Sequence, residues 1–361
     1  MKFNATRLGT ARQRRMLNKK GFADLVGVTP HTASRWEAGA TIPDEEWVEK
    51  IASCLGFPKK FFFGEDVDIP NAKMVSFRSQ TSMTAARRDA ALSAGSLGFL
   101  IVDWVDERFD LPDENVPDLS DYSPEIAALM LRQDWGLGEK AISNMVHLLE
   151  SKGVRVFSLA ENSKKVNAFS LWRDDTPFVF LNTIKTAENS RFDAAHELGH
   201  LALHRDGLTT GRKAEEEANR FASHLLIPQS DLLSFRKPHY SIEWLIGLKA
   251  RWKVSLAALC YRMHKEEFLS DWRYRDLCIQ IRVRFKDTEP EGIERERSVV
   301  WSKVMKALWS ERLTQLDIAK DLALPEEEVS ALIFGLLSEA NPPSGANTER
   351  KFSVIKNERY T

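Results

Sequence analysis

The residues best placed to do chemistry are His196-Glu197-Leu198-Gly199-His200. On a helix, side chains four residues apart stack on one face, so two imidazoles there can grip one ion. Such an ion acts as a Lewis acid and draws the pKa of a water toward neutrality. Glu197 lies beside that face, where it can take the water's proton and pass it on. The bland alternative is a pair of surface histidines on a helix. A catalytic zinc needs three protein ligands and one open position, so a third donor has to be found.

Four places could supply it. His204 follows His200 by one turn, but it lies about 12 Å along the axis from His196, too far unless the helix breaks. Asp206 falls where a metzincin's third ligand would lie, yet Leu203 occupies the position where that turn needs glycine. His224 would need a different face of its helix. The acidic run Glu215-Glu216-Glu217 fits better, because Glu215 and Asn219 share one helical face. Glu215 then supplies a carboxylate ligand, and Asn219 hydrogen-bonds a ligating histidine. This spacing resembles the Glu-x-x-x-Asp second helix of thermolysin-like gluzincins. Against it stands the reading of three glutamates as a solvated face or a helix N-terminus that favours negative charge.

These side chains need rigid elements behind them. Phe192, Ala195, Leu198 and Ala202 form an apolar stripe that lets the histidine segment be a buried helix. Strands are expected at Val154–Leu159 and Pro177–Asn182, with Arg173-Asp174-Asp175-Thr176 as the turn before the second. A long helix is expected from Thr84 to Phe109, then an acidic linker over Leu111–Asp118, then helices from Ser123 to Gly153 and from Asn189 onward. The expected class is α+β, mostly α. The expected division is residues 1–66, a helical linker 67–122, a catalytic domain 123–265 and a C-terminal helical region 266–361. The last twenty residues, from Asn341, read as a loose tail.

A second function is written into residues 18–39. Phe22, Ala23, Leu25 and Val26 give one helix an inward face, Gly27 suits the turn, and Thr29 caps a second helix with Pro30 at its first position. That second helix presents Pro30, His31, Thr32, Ser34 and Arg35, the short polar and basic side chains that meet base edges in a major groove. Eight basic residues lie between Met1 and Trp36 (Lys2, Arg7, Arg12, Arg14, Arg15, Lys19, Lys20 and Arg35), against Asp24 alone. They are available for phosphates although the net charge of the whole chain is -1. A fainter helix-turn-helix pattern at Leu313–Pro325 is followed by Glu326-Glu327-Glu328, the wrong charge for DNA, and is better read as a packing unit. Trp272, Tyr274, Trp301 and Trp309 are expected in the core.

Composition narrows the setting. Cys54, Cys260 and Cys278 form no C-x-x-C pair and read as buried thiols of a reducing compartment. The longest apolar stretch, Leu92–Val102, is too short for a membrane span, and the N-terminus has no secretory apolar core. A cytoplasmic protein is expected.

Residues from about 125 to 265 resemble the ImmA/IrrE family of zinc metallopeptidases. The matching pieces are Arg191–His204, then Glu215-x-x-Ala218-Asn219-x-Phe221-Ala222, with Phe178–Asn182 and Val254–Arg262 fitting as well. Residues 5–64 resemble the Xre/phage-repressor type of helix-turn-helix, through Ser34-Arg35-Trp36-Glu37-Ala38-Gly39. Together the resemblances imply a Zn2+-dependent endopeptidase that binds an operator in double-stranded DNA and cleaves a partner helix-turn-helix repressor in a stress, phage or mobile-element response. They leave a homodimer open, since such DNA readers use two half-sites. The rival reading is a DNA-binding regulator or toxin-antitoxin component whose zinc domain senses or scaffolds. Self-cleavage near the acidic linker is a third. For the oxyanion donor, His239, Tyr240 and His264 are bare candidates.

Overall fold

The computed structural model describes residues 2–70, 76–77, 84–159, 168–205, 207, 209–286, 288–333, 337 and 355–356. The N-terminal part folds as α1 (Ala5–Arg14), α2 (Lys19–Val26), α3 (Pro30–Glu37) and α4 (Glu45–Leu55), closed by a 3-10 turn at Lys59–Phe63. Next come β1 (Ser76–Phe77), the long α5 (Ala85–Asp106) and β2 (Phe109–Asp110). The central part runs α6 (Pro124–Asp134), α7 (Met145–Ser151), β3 (Arg155–Leu159), β4 (Phe169–Arg173), β5 (Thr176–Asn182), α8 (Ala187–Leu203) and α9 (Gly211–Leu226). It continues through α10 (Gln229–Leu233), α11 (Ile242–Trp252), α12 (Leu256–Lys265) and α13 (Asp271–Phe285). The chain then adds α14 (Val299–Ser310), α15 (Gln315–Leu322), α16 (Glu326–Ile333) and the short β6 (Ile355–Lys356). The class is α+β, mostly α, as expected.

One sheet organises the centre, in the order β1-β4-β5-β3. Strands β3 and β5 run parallel, while β4 and β5 form an antiparallel hairpin with Arg173 opposite Thr176. Asp174 turns this hairpin with a φ of 51°, a left-handed conformation that short polar side chains tolerate. Alternation along the strands splits the apolar residues between two cores. Phe157, Phe169, Phe178 and Phe180 stack toward α5 and α14–α16; Phe99 of α5 meets Phe178 edge-on at 4.8 Å. Val156, Val179 and Leu181 go to the other face, against α8 and α9.

Strand β4 was not anticipated, although the turn at Asp174-Asp175 implied a partner on its N-terminal side. The expected loose tail lies outside the described residues, apart from β6, which pairs antiparallel with β2. Two tryptophans depart from the expected core: Trp272 is 74% exposed and Trp309 53%. Helix α13 buries Leu277, so Trp272 falls on its outer side. Trp301, by contrast, is buried and donates to the Val156 carbonyl at 2.8 Å. Of the cysteines, Cys260 is buried, and burial pushes its thiol up to about 12, whereas Cys54 and Cys278 are only half-buried. Among the described residues no helix is long and apolar enough to cross a membrane.

Helix α9 is tied to α12 by His224, whose ring lies 3.1 Å from an Arg262 nitrogen, with Glu125 and Arg220 nearby. Burial first, then the Arg262 charge, lowers the His224 pKa to about 4 from an ordinary 6.5. The unfolded ring binds its proton earlier on acidification, so this contribution is complete above pH 6.5 and is lost as pH falls toward 4. We expect about 1–2 kcal/mol of acid destabilisation from this group, after allowance for its partial exposure. Denaturant melts at stepped pH should show a shallower loss over that window in His224→Asn; equal slopes would contradict it.

Candidate metal centre

Helix α8 begins at Thr186, whose hydroxyl accepts from the Asn189 amide at 3.3 Å. The C-terminal half of its buried length carries the chemistry: His196 and Glu197 are wholly buried and His200 nearly so. Helix α9 lies across it at close range because residue 199 is glycine. A β-carbon there would stand 3.0 Å from the Phe221 ring and 3.2 Å from the Ala218 α-carbon. That close approach brings the acidic turn of α9 to the histidines.

His196 Nε2 and His200 Nε2 are 3.1 Å apart. Glu215 reaches both through different oxygens, Oε2 at 3.5 Å from His196 Nε2 and Oε1 at 3.5 Å from His200 Nε2. Among the described residues this is the group of three such donors that converges, all within 4.8 Å. The donor set passes a simple test of fit. Ligands about 2.0–2.1 Å from a tetrahedral zinc stand roughly 3.3 Å from one another, close to the three separations found.

The outer nitrogens of the histidines are also engaged. Asn219 Oδ1 lies 3.1 Å from His196 Nδ1, so that nitrogen donates and Nε2 is left bare toward Glu215. His200 Nδ1 lies 2.9 Å from His204 Nδ1, and His204 Nε2 lies 3.0 Å from Glu217 Oε2. The three glutamates thus part company: Glu215 faces the pair, Glu217 meets His204, and Glu216 joins Arg212 at 2.8 Å on the exposed side. His224 goes to Arg262, and Asp206 lies outside the described residues.

Sequence reasoning missed Ser170 of β4. Its hydroxyl sits 2.7 Å from Glu197 Oε2 and 3.2 Å from the Glu197 carbonyl. Recognising β4 would have found it, since Ser170 alternates with Phe169 and Leu171 and must face α8. None of the oxyanion candidates gains support. His239 is exposed, the Tyr240 hydroxyl accepts from the Lys237 amide at 2.8 Å, and His264 stacks on Tyr274.

In the N-terminal part, Asn18 caps α2 through the Gly21 amide at 2.7 Å, and Thr29 caps α3 through the Thr32 amide at 3.1 Å. Gly27 joins the two helices with a φ of 82°. Phe22, Ala23, Val26, Ala33 and Trp36 are buried. Leu25 is not: it is 48% exposed. Pro30, His31 and Arg35 are exposed and Ser34 half-exposed, while the Thr32 hydroxyl turns back to Thr29 at 2.9 Å.

The basic surplus is smaller than the sequence suggests. Arg7 donates to the Glu65 carbonyl, Arg12 grips Glu37, and Arg14 and Arg15 both pair with Glu328 of α16. Lys2, Lys19, Lys20 and Arg35 keep exposed positions. Helix α16 is itself a packing unit, with Val329, Leu332 and Ile333 buried and its Leu332 carbonyl accepting from Ser158 at 3.0 Å.

No curated protein matches the chain. Residues 149–264 match the family model described as IrrE N-terminal-like domain, a peptidase family, and residues 5–60 match a helix-turn-helix domain. The chain joins a helix-turn-helix domain to a metallopeptidase-like domain of the IrrE N-terminal-like kind.

Proposed function

We infer that the chain is a DNA-binding transcriptional regulator with zinc-dependent endopeptidase activity, acting on a partner helix-turn-helix repressor. The convergence of His196, His200 and Glu215 beside a buried glutamate carries this reading. Residues 1–66 serve DNA, through Pro30, His31, Thr32, Ser34 and Arg35 of α3, and residues 123–265 serve hydrolysis. Residues 67–122 and 266–361 link and brace them, in a protein of the cytoplasm.

His196, His200 and Glu215 would hold Zn2+, and Asn219 fixes the His196 ring with Nε2 inward. Zinc bound there supplies Lewis acidity toward a water and a peptide carbonyl. Glu197 accepts the proton of the attacking water and delivers it to the departing amine. Ser170, at Oε2, restrains the rotation of that carboxylate. Because Glu197 and the histidines are buried, bulk water competes little with these contacts.

The test is to incubate the zinc-loaded chain with helix-turn-helix repressors of its own source, starting with any whose gene neighbours its own. A new N-terminus in the repressor, seen by mass spectrometry, abolished by a chelator and restored by zinc, is expected. An intact repressor alongside a fully zinc-loaded chain would leave a regulator without this peptidase activity.

A further inference from the structure

We propose that His204 is a positioning residue for the metal centre, fixing His200 through a two-step hydrogen-bond chain that ends on Glu217. This role presupposes the zinc site described above. With Glu217 ionised and His204 neutral, the chemistry of the groups sets the direction of every bond. An ionised carboxylate only accepts, so at 3.0 Å from Glu217 Oε2 the proton must sit on His204 Nε2. A neutral imidazole carrying its proton there has a bare Nδ1. That bare nitrogen is 2.9 Å from His200 Nδ1, which therefore donates. With its proton on Nδ1, His200 presents a bare Nε2 toward His196 and Glu215, the form in which an imidazole binds a metal.

Both ligand histidines are thus set by outside partners, but differently. His196 leans on a neutral amide, Asn219, whereas His200 leans on an imidazole that is itself polarised by a carboxylate. The chain is well sheltered: the His204 side chain is 6% exposed and that of Glu217 23%. His204 is able to do this because it is the C-cap of α8, where the helix ends and its ring can turn toward α9. It is not a ligand; its nitrogens are taken by His200 and Glu217.

Two substitutions separate the two ends of the ring. An asparagine amide oxygen sits about where Nδ1 sits, and a glutamine amide nitrogen about where Nε2 sits. His204→Asn keeps an acceptor for His200, and zinc affinity, measured against a competing chelator, should stay within about threefold of wild type. His204→Gln keeps only the Glu217 end, and should lose about 10–100-fold, as should His204→Leu. Glu217→Ala, which leaves the His204 ring in place, should weaken binding by a smaller factor. The melting temperatures of the metal-free proteins should not follow this order. Equal affinity in wild type and His204→Leu would overturn the role alone, as would Asn and Gln variants that fall together with their metal-free stability. A wild-type protein that takes up no zinc would overturn the metal centre itself, and this role with it.

Discussion

Glu197→Gln is expected to bind zinc as wild type does and to cut repressor at least about 10²–10⁴-fold more slowly. The substitution keeps the shape of the side chain and its ability to accept from the Ser170 hydroxyl 2.7 Å away. It removes the one property hydrolysis requires there, a carboxylate that can take a proton. His196, His200 and Glu215 are untouched, so metal content is predicted to stay at one ion per chain. Cleavage at the wild-type rate would show that another group moves the proton. Joint loss of zinc and cleavage would show instead that Glu197 belongs to the ligand set.

The second large effect concerns stability. Lys249 of α11 is 1% exposed, and its Nζ stands 3.4 Å from Glu188, 3.3 Å from Glu289 and 3.3 Å from the Glu291 carbonyl. Glu188 lies in the first turn of α8, and Glu289 also accepts from the Leu256 amide at 2.7 Å at the start of α12. A little further on, Glu296 accepts from the Met145 amide at 2.7 Å, at the start of α7, and pairs with the buried Arg191. The segment before α14 therefore straps four helices, α7, α8, α11 and α12, to one another through charged groups. Lys249→Met strands two carboxylates in a dry pocket, which costs about 3–5 kcal/mol. Its melting temperature should fall by on the order of 10 °C. An unchanged melt in differential scanning calorimetry would mean that water or a rearranged carboxylate replaces the ammonium.

The metal centre was legible because its residues are close in sequence and helical geometry is regular. His196, His200, Glu215 and Asn219 come together as the i, i+4 pattern in each helix demands. What the pattern does not carry is the approach between helices, which depends on Gly199 meeting Ala218 and Phe221. The partners of His204 were hidden for the same reason: Glu217 is two residues past Glu215, on a different side of α9. Ser170 lay beyond reach because β4 is short and its Ser-Leu-Trp stretch alternates without an obvious polar face. The basic run near the N-terminus misled in another way. Charge counted along a chain takes no account of pairing, and Glu328, more than 300 positions away, occupies two of the arginines.

The helix-turn-helix was read from caps and a glycine, both local features, and α2 and α3 carry them as written. Trp272 and Leu25 show the limit of such reading. An apolar side chain is buried only if another element arrives to cover it, and neither helix receives one on that side.

X-ray absorption at the zinc edge of the purified protein tests the centre most directly. Two imidazole nitrogens and carboxylate oxygen at about 2.0–2.1 Å are expected, with one ion per chain and one light-atom neighbour lost in Glu215→Ala. Sulfur near about 2.3 Å, or no stoichiometric metal after loading with excess zinc, would contradict it.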